Sequence, residues 1–329
     1  MQIRLAGLAA AVAALVQFPA NAQESFNLTA LGSAPTGILA TANAGVAAAV
    51  QAAFPGSTIT YQTSGSGIAN IAAIDQNRAP LGYAVDAEMA LALEGKAPFR
   101  GKITSFRAIA YLVGGVGMHL VVTRDVAEKY GLKDLSDIAK KKPPLRIVSN
   151  ARGNIVSIVA LDFLREIGVG IDDLKSWGGE KIFVTSQEFP AMFADRKADT
   201  MLNMTNIRAA AMIDMMKSRE LRMLSVDRAL VDRVAARYGL RTMVIPKTAY
   251  DFMTEDLYTA ELGIALIAHQ SVKDEHAYAI AKSLVEQIDK FQALHPSFKA
   301  TSKEYLAALK VGEYHPGAAK LYREKGLLK

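Results

Sequence analysis

Four short polar segments carry residue types suited to holding a small anion: Gly32-Ser33-Ala34-Pro35-Thr36-Gly37, Ser64-Gly65-Ser66-Gly67, Asn150-Ala151-Arg152-Gly153-Asn154 and Asn203-Met204-Thr205-Asn206. Hydroxyls and amides (Ser33, Thr36, Ser64, Ser66, Asn70, Asn150, Asn154, Asn203, Thr205 and Asn206) supply neutral donors, and Gly65 lets a backbone approach closely. Only Arg152 adds a full positive charge, in the planar fork that fits a carboxylate. The chemistry these types predict is capture of a small carboxylate. Replacing Arg152 with Ala is expected to weaken such binding by on the order of 1.5 to 3 kcal/mol, roughly ten to a hundredfold, as calorimetry would measure.

Covalent chemistry is poorly served by the same residues. Ser64-Gly65-Ser66-Gly67 does not match the Gly-x-Ser-x-Gly elbow of hydrolases, and no histidine lies near it in sequence. His119, His269, His276, His295 and His315 lack metal-ligand spacing, and the chain has no cysteine. Phosphate-cradling motifs of nucleotide sites are absent, and Met212, Met215 and Met216 read as core. The expectation is a binding protein, not an enzyme, without cofactor or metal.

These segments need elements that aim them. Each of the first three follows a short apolar run and precedes an Ala-rich or amphipathic stretch, the pattern of strand, turn and helix; the fourth closes a further strand. The runs Phe26 to Leu31, Thr58 to Gln62, Leu81 to Val85, Phe106 to Leu112, Met118 to Thr123, Arg146 to Ser149, Thr200 to Met204, Leu221 to Val226 and Gly263 to Ala268 read as strands. Helices are predicted over Thr41 to Phe54, Ile68 to Asp75, Ile155 to Ile167, Glu275 to Leu294 and Ser302 to Leu309, the last opened by a Ser cap. The fold class is therefore α/β, two lobes each built on a mostly parallel sheet flanked by helices. Two anion segments fall in each lobe, beyond the carboxyl ends of strands, where helix starts favour negative charge and open sheets form their crevices.

The start of the chain addresses the compartment. Met1 to Arg4 is basic, Leu5 to Phe18 apolar, and Ala20-Asn21-Ala22 has the small-x-small form of a cleavage site. Residues 1–22 read as a secretory signal peptide, too short in its apolar part to span a bilayer, so neither stable membrane insertion nor a lipid-bearing thiol is expected. The periplasm is the natural destination. The net charge of +6 is spread among acidic residues along most of the chain, which argues against nucleic acid as partner.

The strand leading to Gly32-Ser33 with Thr36-Gly37, then Thr63-Ser64-Gly65-Ser66-Gly67-Ile68-Ala69-Asn70, resembles a known family. So do the strand Gly117 to Val122 and the late Tyr314-His315-Pro316-Gly317-Ala318 with Tyr322-Arg323-Glu324-Lys325-Gly326. It is the TAXI family of TRAP-associated solute receptors. The resemblance implies a type II periplasmic-binding-protein fold that closes on its ligand by hinge motion and delivers a small organic acid or amino-acid-like carboxylate to a TRAP permease. It also adds Asp86 to the site, although Ala84-Val85 replaces the Gln-Ser usual before that Asp. The implied lobes are residues 23–114 with 246–329, and 115–245. A ligand-sensing subunit for a membrane histidine kinase is the alternative this sequence leaves open.

Overall fold

The structure is a computed structural model that describes residues 25–33, 35 and 38–329. The predicted leader lies outside those residues, as does Thr36. Ten strands form one sheet in the order β2-β1-β3-β10-β4-β7-β5-β6, with β8 added to β4 and β9 to β10. They are β1 (Asn27–Gly32), β2 (Thr58–Thr63), β3 (Leu81–Val85), β4 (Phe106–Thr123), β5 (Arg146–Ser149), β6 (Glu180–Phe183), β7 (Thr200–Asn206), β8 (Leu221–Met223), β9 (Arg241–Ile245) and β10 (Leu257–His269).

Two long strands divide this sheet. β4 and β10 run antiparallel to one another; midway β10 exchanges β9 for β3 as its outer neighbour, and β4 gains β7. On one side β3 pairs with β10 over Ile264 to Ala268 and continues through the parallel strands β1 and β2. On the other, β7 pairs with β4 over Val116 to Val122 and continues through the parallel strands β5 and β6. The exchange falls at Gly114-Gly115 of β4 and Leu262-Gly263 of β10, where the β4–β10 register also breaks. Each half thus has a parallel set extended by the antiparallel crossing strands, and the halves are two lobes.

Local chemistry explains the helices that matter here. α1 (Ile38–Ala53) is Ala-rich and buries Val46 and Val50 against the first lobe. α2 (Gly67–Asp75) starts where Ser66 accepts the N–H of Ala69 at 3.2 Å. α3 (Asp86–Glu94) follows β3 directly, its first turn acidic. In the second lobe the helix Ile155–Glu166 is capped by Asn154, whose Oδ1 accepts the N–H of Val156 at 2.9 Å.

Several expectations need correction. Phe106 to Thr123 is one strand, because the adjacent pair Gly114-Gly115 is taken up within the ladder: Gly115 takes φ +72° and the chain continues. The segment 203–206 is no loop; it is the end of β7, paired with Val116 to His119 of β4. The long C-terminal helix breaks at Gln287 into Asp274–Glu286 and Ile288–Ala293. The short strands β6 and β9 were not anticipated.

The Tyr-His-Pro-Gly-Ala signature is structural. A side chain at Gly317 would collide with the Asp274 carbonyl of the helix packed on it, and the Tyr322 hydroxyl donates to the Ile109 carbonyl of β4 at 2.8 Å. His119 is also part of the frame. It is fully buried between the Gly117 carbonyl (2.8 Å) and the Tyr250 hydroxyl (3.0 Å), and burial pushes its pKa down to about 4.

Candidate functional site

A cleft of about 200 Å³ opens beyond the carboxyl ends of β1 and β3 and is closed on its far side by the second lobe. The first lobe contributes Ser33, Gly65, Ser66 and Gly67 from two of the predicted segments; the second contributes Asn150 and Asn154 from the third. Leu262 and Ile264 reach it from β10 at the crossing. Two other hollows are larger: a groove of about 280 Å³ beside β8 and an open one of about 700 Å³ at Arg241, Glu261 and Tyr305. Neither gathers turns from the ends of parallel strands, so volume is a poorer guide here than topology.

The predicted residues divide into three groups. Ser33, Gly65, Ser66, Asn150 and Asn154 meet at the cleft. Ser33 donates its N–H to the Tyr61 hydroxyl at 3.1 Å, and Asn150 donates its N–H to Asn203 Oδ1 at 3.2 Å, so both turns are held from behind.

A second group forms the scaffold. Asn70 is fully buried and spends both amide hydrogens on the carbonyls of Leu31 (3.0 Å) and Tyr83 (2.7 Å), while its Oδ1 accepts from Ser64. That ties α2 to the ends of β1 and β3. Asn203 is buried and donates to the Met204 carbonyl at 3.1 Å, Asn206 donates to the Gly114 carbonyl at 3.4 Å, and Thr205 lies opposite Gly117.

Asp86 and Arg152 form the third group, away from the cleft lining. Asp86 is fully buried at the lobe crossing, where its carboxylate accepts the Gly263 N–H at 2.9 and 3.0 Å. Burial outweighs that bond and the nearby Arg241 charge, and raises its pKa to about 8. Arg152 is exposed and rests its guanidinium over the Phe183 ring, 4.3 Å from the centroid.

The sequence reading missed Glu88, which lines the cleft although only 5 % of it is exposed. Its Oε2 accepts the Val85 N–H at 3.1 Å, it also accepts the Ile68 N–H, and it lies so close to Gly67 that no Cβ would fit there. Burial lifts its pKa to about 7 despite those donors. The start of α2, predicted to attract a ligand's negative charge, therefore already holds the protein's own carboxyl group. Glu88 is the third residue of α3, a position where Glu commonly turns back on the chain; that offset was the available signal.

No curated protein matches the sequence. Among solved structures the chain is similar to MatC from Rhodopseudomonas palustris with bound malate, at 13% identity over 85% of this chain and 90% of that one, with a TM-score of 0.51. It is also similar to PhnD1 from Prochlorococcus marinus in complex with methylphosphonate, at 11% identity over 94% and 100% of the chains, with a TM-score of 0.53. At such identities the likeness speaks for the fold, which is that of the two-lobed periplasmic binding proteins. The family match covers residues 34–326, and the family shown is not the TAXI family the motifs suggested. The chain belongs to the NMT1-like family, a family of periplasmic solute-binding proteins.

Proposed function

We propose that the chain is a periplasmic receptor that closes its two lobes on a small organic acid and hands it to a transporter in the inner membrane. The lobes divide at Gly114-Gly115 of β4 and Leu262-Gly263 of β10 and move about those two points, so residues 246–262, expected in the first lobe, travel with the second, where Tyr250 bonds His119 and packs with Val121 and Val148. The single observation that carries this reading is the meeting of Ser33, Gly65 and Ser66 from one lobe with Asn150 and Asn154 from the other around one cleft. Glu88 sets the polarity within it: a carboxyl group on the first lobe turns a ligand's negative end toward the amides and helix start of the second. The small anions bound by the two similar structures, malate and methylphosphonate, fit that class.

The test uses a glycine. A Cβ at Gly65 meets nothing within 4 Å, yet the residue faces the cleft, so Gly65→Phe fills the cleft without disturbing the frame. In a thermal-shift screen of organic acids and amino acids, at least one compound raises the melting temperature of the parent by mass action. The same compound leaves Gly65→Phe unmoved, while the unliganded melting temperatures of the two agree. Equal shifts in both would place binding elsewhere.

A further inference from the structure

Beside the turn that carries Asn150 and Asn154, the ends of β5 and β6 hold a group of cationic and polar side chains that the fold does not account for. Ile147 pairs with Lys181 and Ser149 with Phe183 across the parallel ladder, so the four side chains stand on one face. Lys181 is 6 % exposed, with its ammonium 4.8 Å from the centre of the Phe183 ring and a long 3.5 Å contact to the Ile147 carbonyl. Arg152 descends from the turn onto the same ring, at 4.3 Å. The Ser149 hydroxyl is fully buried and has no hydrogen-bond partner among the described residues.

Two cations share one aromatic ring, and among the described residues neither lies within ion-pair distance of a carboxylate. Burying a lysine unpaired is costly unless a counter-charge arrives or the group gives up its proton. Burial first, and the Arg152 charge second, push the Lys181 pKa down to about 7, so an anion arriving beside it would hold the proton on the ammonium. An orphaned hydroxyl beside them adds a neutral donor.

We propose that Lys181, Arg152 and the Ser149 hydroxyl form an anion-binding site at the ends of β5 and β6 that takes the ligand's carboxylate, with Phe183 spacing the two cations. Lys181 is the ammonium that the anion neutralises, and Arg152 supplies the fork. The assignment rests on the cleft reading above for the rest of the ligand, and it makes Lys181 a determinant of specificity for acids over their amides.

Calorimetry at constant ionic strength with succinate and, separately, sulfate tests it on the parent, Lys181→Met, Arg152→Gln and Gly65→Phe. Lys181→Met keeps the side-chain volume and removes a buried charge, and Arg152 is exposed, so both variants fold; melting temperatures verify this. The site predicts that succinate binds the parent and that its affinity falls at least tenfold in both cation variants. Parent-like affinity in Lys181→Met overturns the proposal, and with Gly65→Phe still blocked it leaves the cleft reading intact. Loss in the cation variants with full binding in Gly65→Phe supports the anion site and sinks the cleft. Sulfate binding alone, lost on removing Lys181, supports the site with an inorganic oxyanion as occupant. No binding of either probe by the parent overturns it.

Discussion

At the scale of single residues, Gly67 and Glu88 show how the first lobe shapes the cleft. The Glu88 carboxyl group bridges the starts of α2 and α3 through the N–H groups of Ile68 and Val85, and it occupies the space a side chain at 67 would need. Gly67→Ala must therefore displace it, and unfolding in denaturant should show a loss of about 1–3 kcal/mol. In a Glu88→Ala background the same change should cost far less, a coupling that a double-mutant cycle reads directly. Additive losses would mean the two residues do not constrain one another. Capping acts across two or three residues, so the Ser302 cap could be read locally, and Ser302 does accept the Tyr305 N–H at 3.1 Å; Ser66 and Asn154, predicted as ligand donors, cap their helices as well. The roles of Asn70 and Asp86 could not be read that way. Their partners Leu31, Tyr83 and Gly263 lie 39, 13 and 177 residues away, and nothing local announces such bonds.

At the scale of elements, the crossing of β4 and β10 concentrates buried charge where the lobes join. Asp86 accepts from Gly263 of β10, Glu261 accepts the Gly115 N–H of β4 at 2.6 Å, and the Arg241 guanidinium lies 4.4 Å from the rings of both Tyr111 and Tyr305. An acid whose pKa is higher in the fold than in the unfolded chain costs nothing while both states keep the proton. Its cost begins as pH rises past the ordinary 3.8 and is complete near pH 8, where the folded form also ionises. Asp86→Asn retains an acceptor for Gly263 and removes that cost. Its melting temperature relative to the parent should therefore rise between about pH 5 and about pH 8; a difference that is flat or falls with pH would show that Asp86 is ionised in the fold. Most strands of both lobes could be read from apolar runs bounded by turn residues, but the crossing could not. Gly114 and Gly115 have the composition of a break, and only pairing with β10 and β7 keeps β4 continuous. β6 and β9 escaped for a related reason: Glu180–Phe183 includes a buried lysine, and Arg241–Ile245 has a half-exposed pattern that becomes a strand only beside β10.

At the scale of the whole molecule, two lobes joined through the crossing strands enclose a cleft whose walls come from segments more than a hundred residues apart in sequence, as Ser33 and Asn150 do. The polar turns could be picked out from the sequence, and so could their position beyond strand ends. Which of them face one another depends on the sheet order, and that order placed Arg152 on Phe183 instead of in the cleft lining. The chain has no cysteine, so a pair introduced at exposed positions labels uniquely; Thr63 beside the first-lobe turn and Gln187 beyond the second-lobe turn suit spin labels. Pulsed electron spin resonance of Thr63→Cys with Gln187→Cys, with and without a compound that raises the melting temperature, measures closure directly. Capture by closing lobes gives a shorter and narrower distance distribution at saturation; an identical distribution with the compound bound would contradict it.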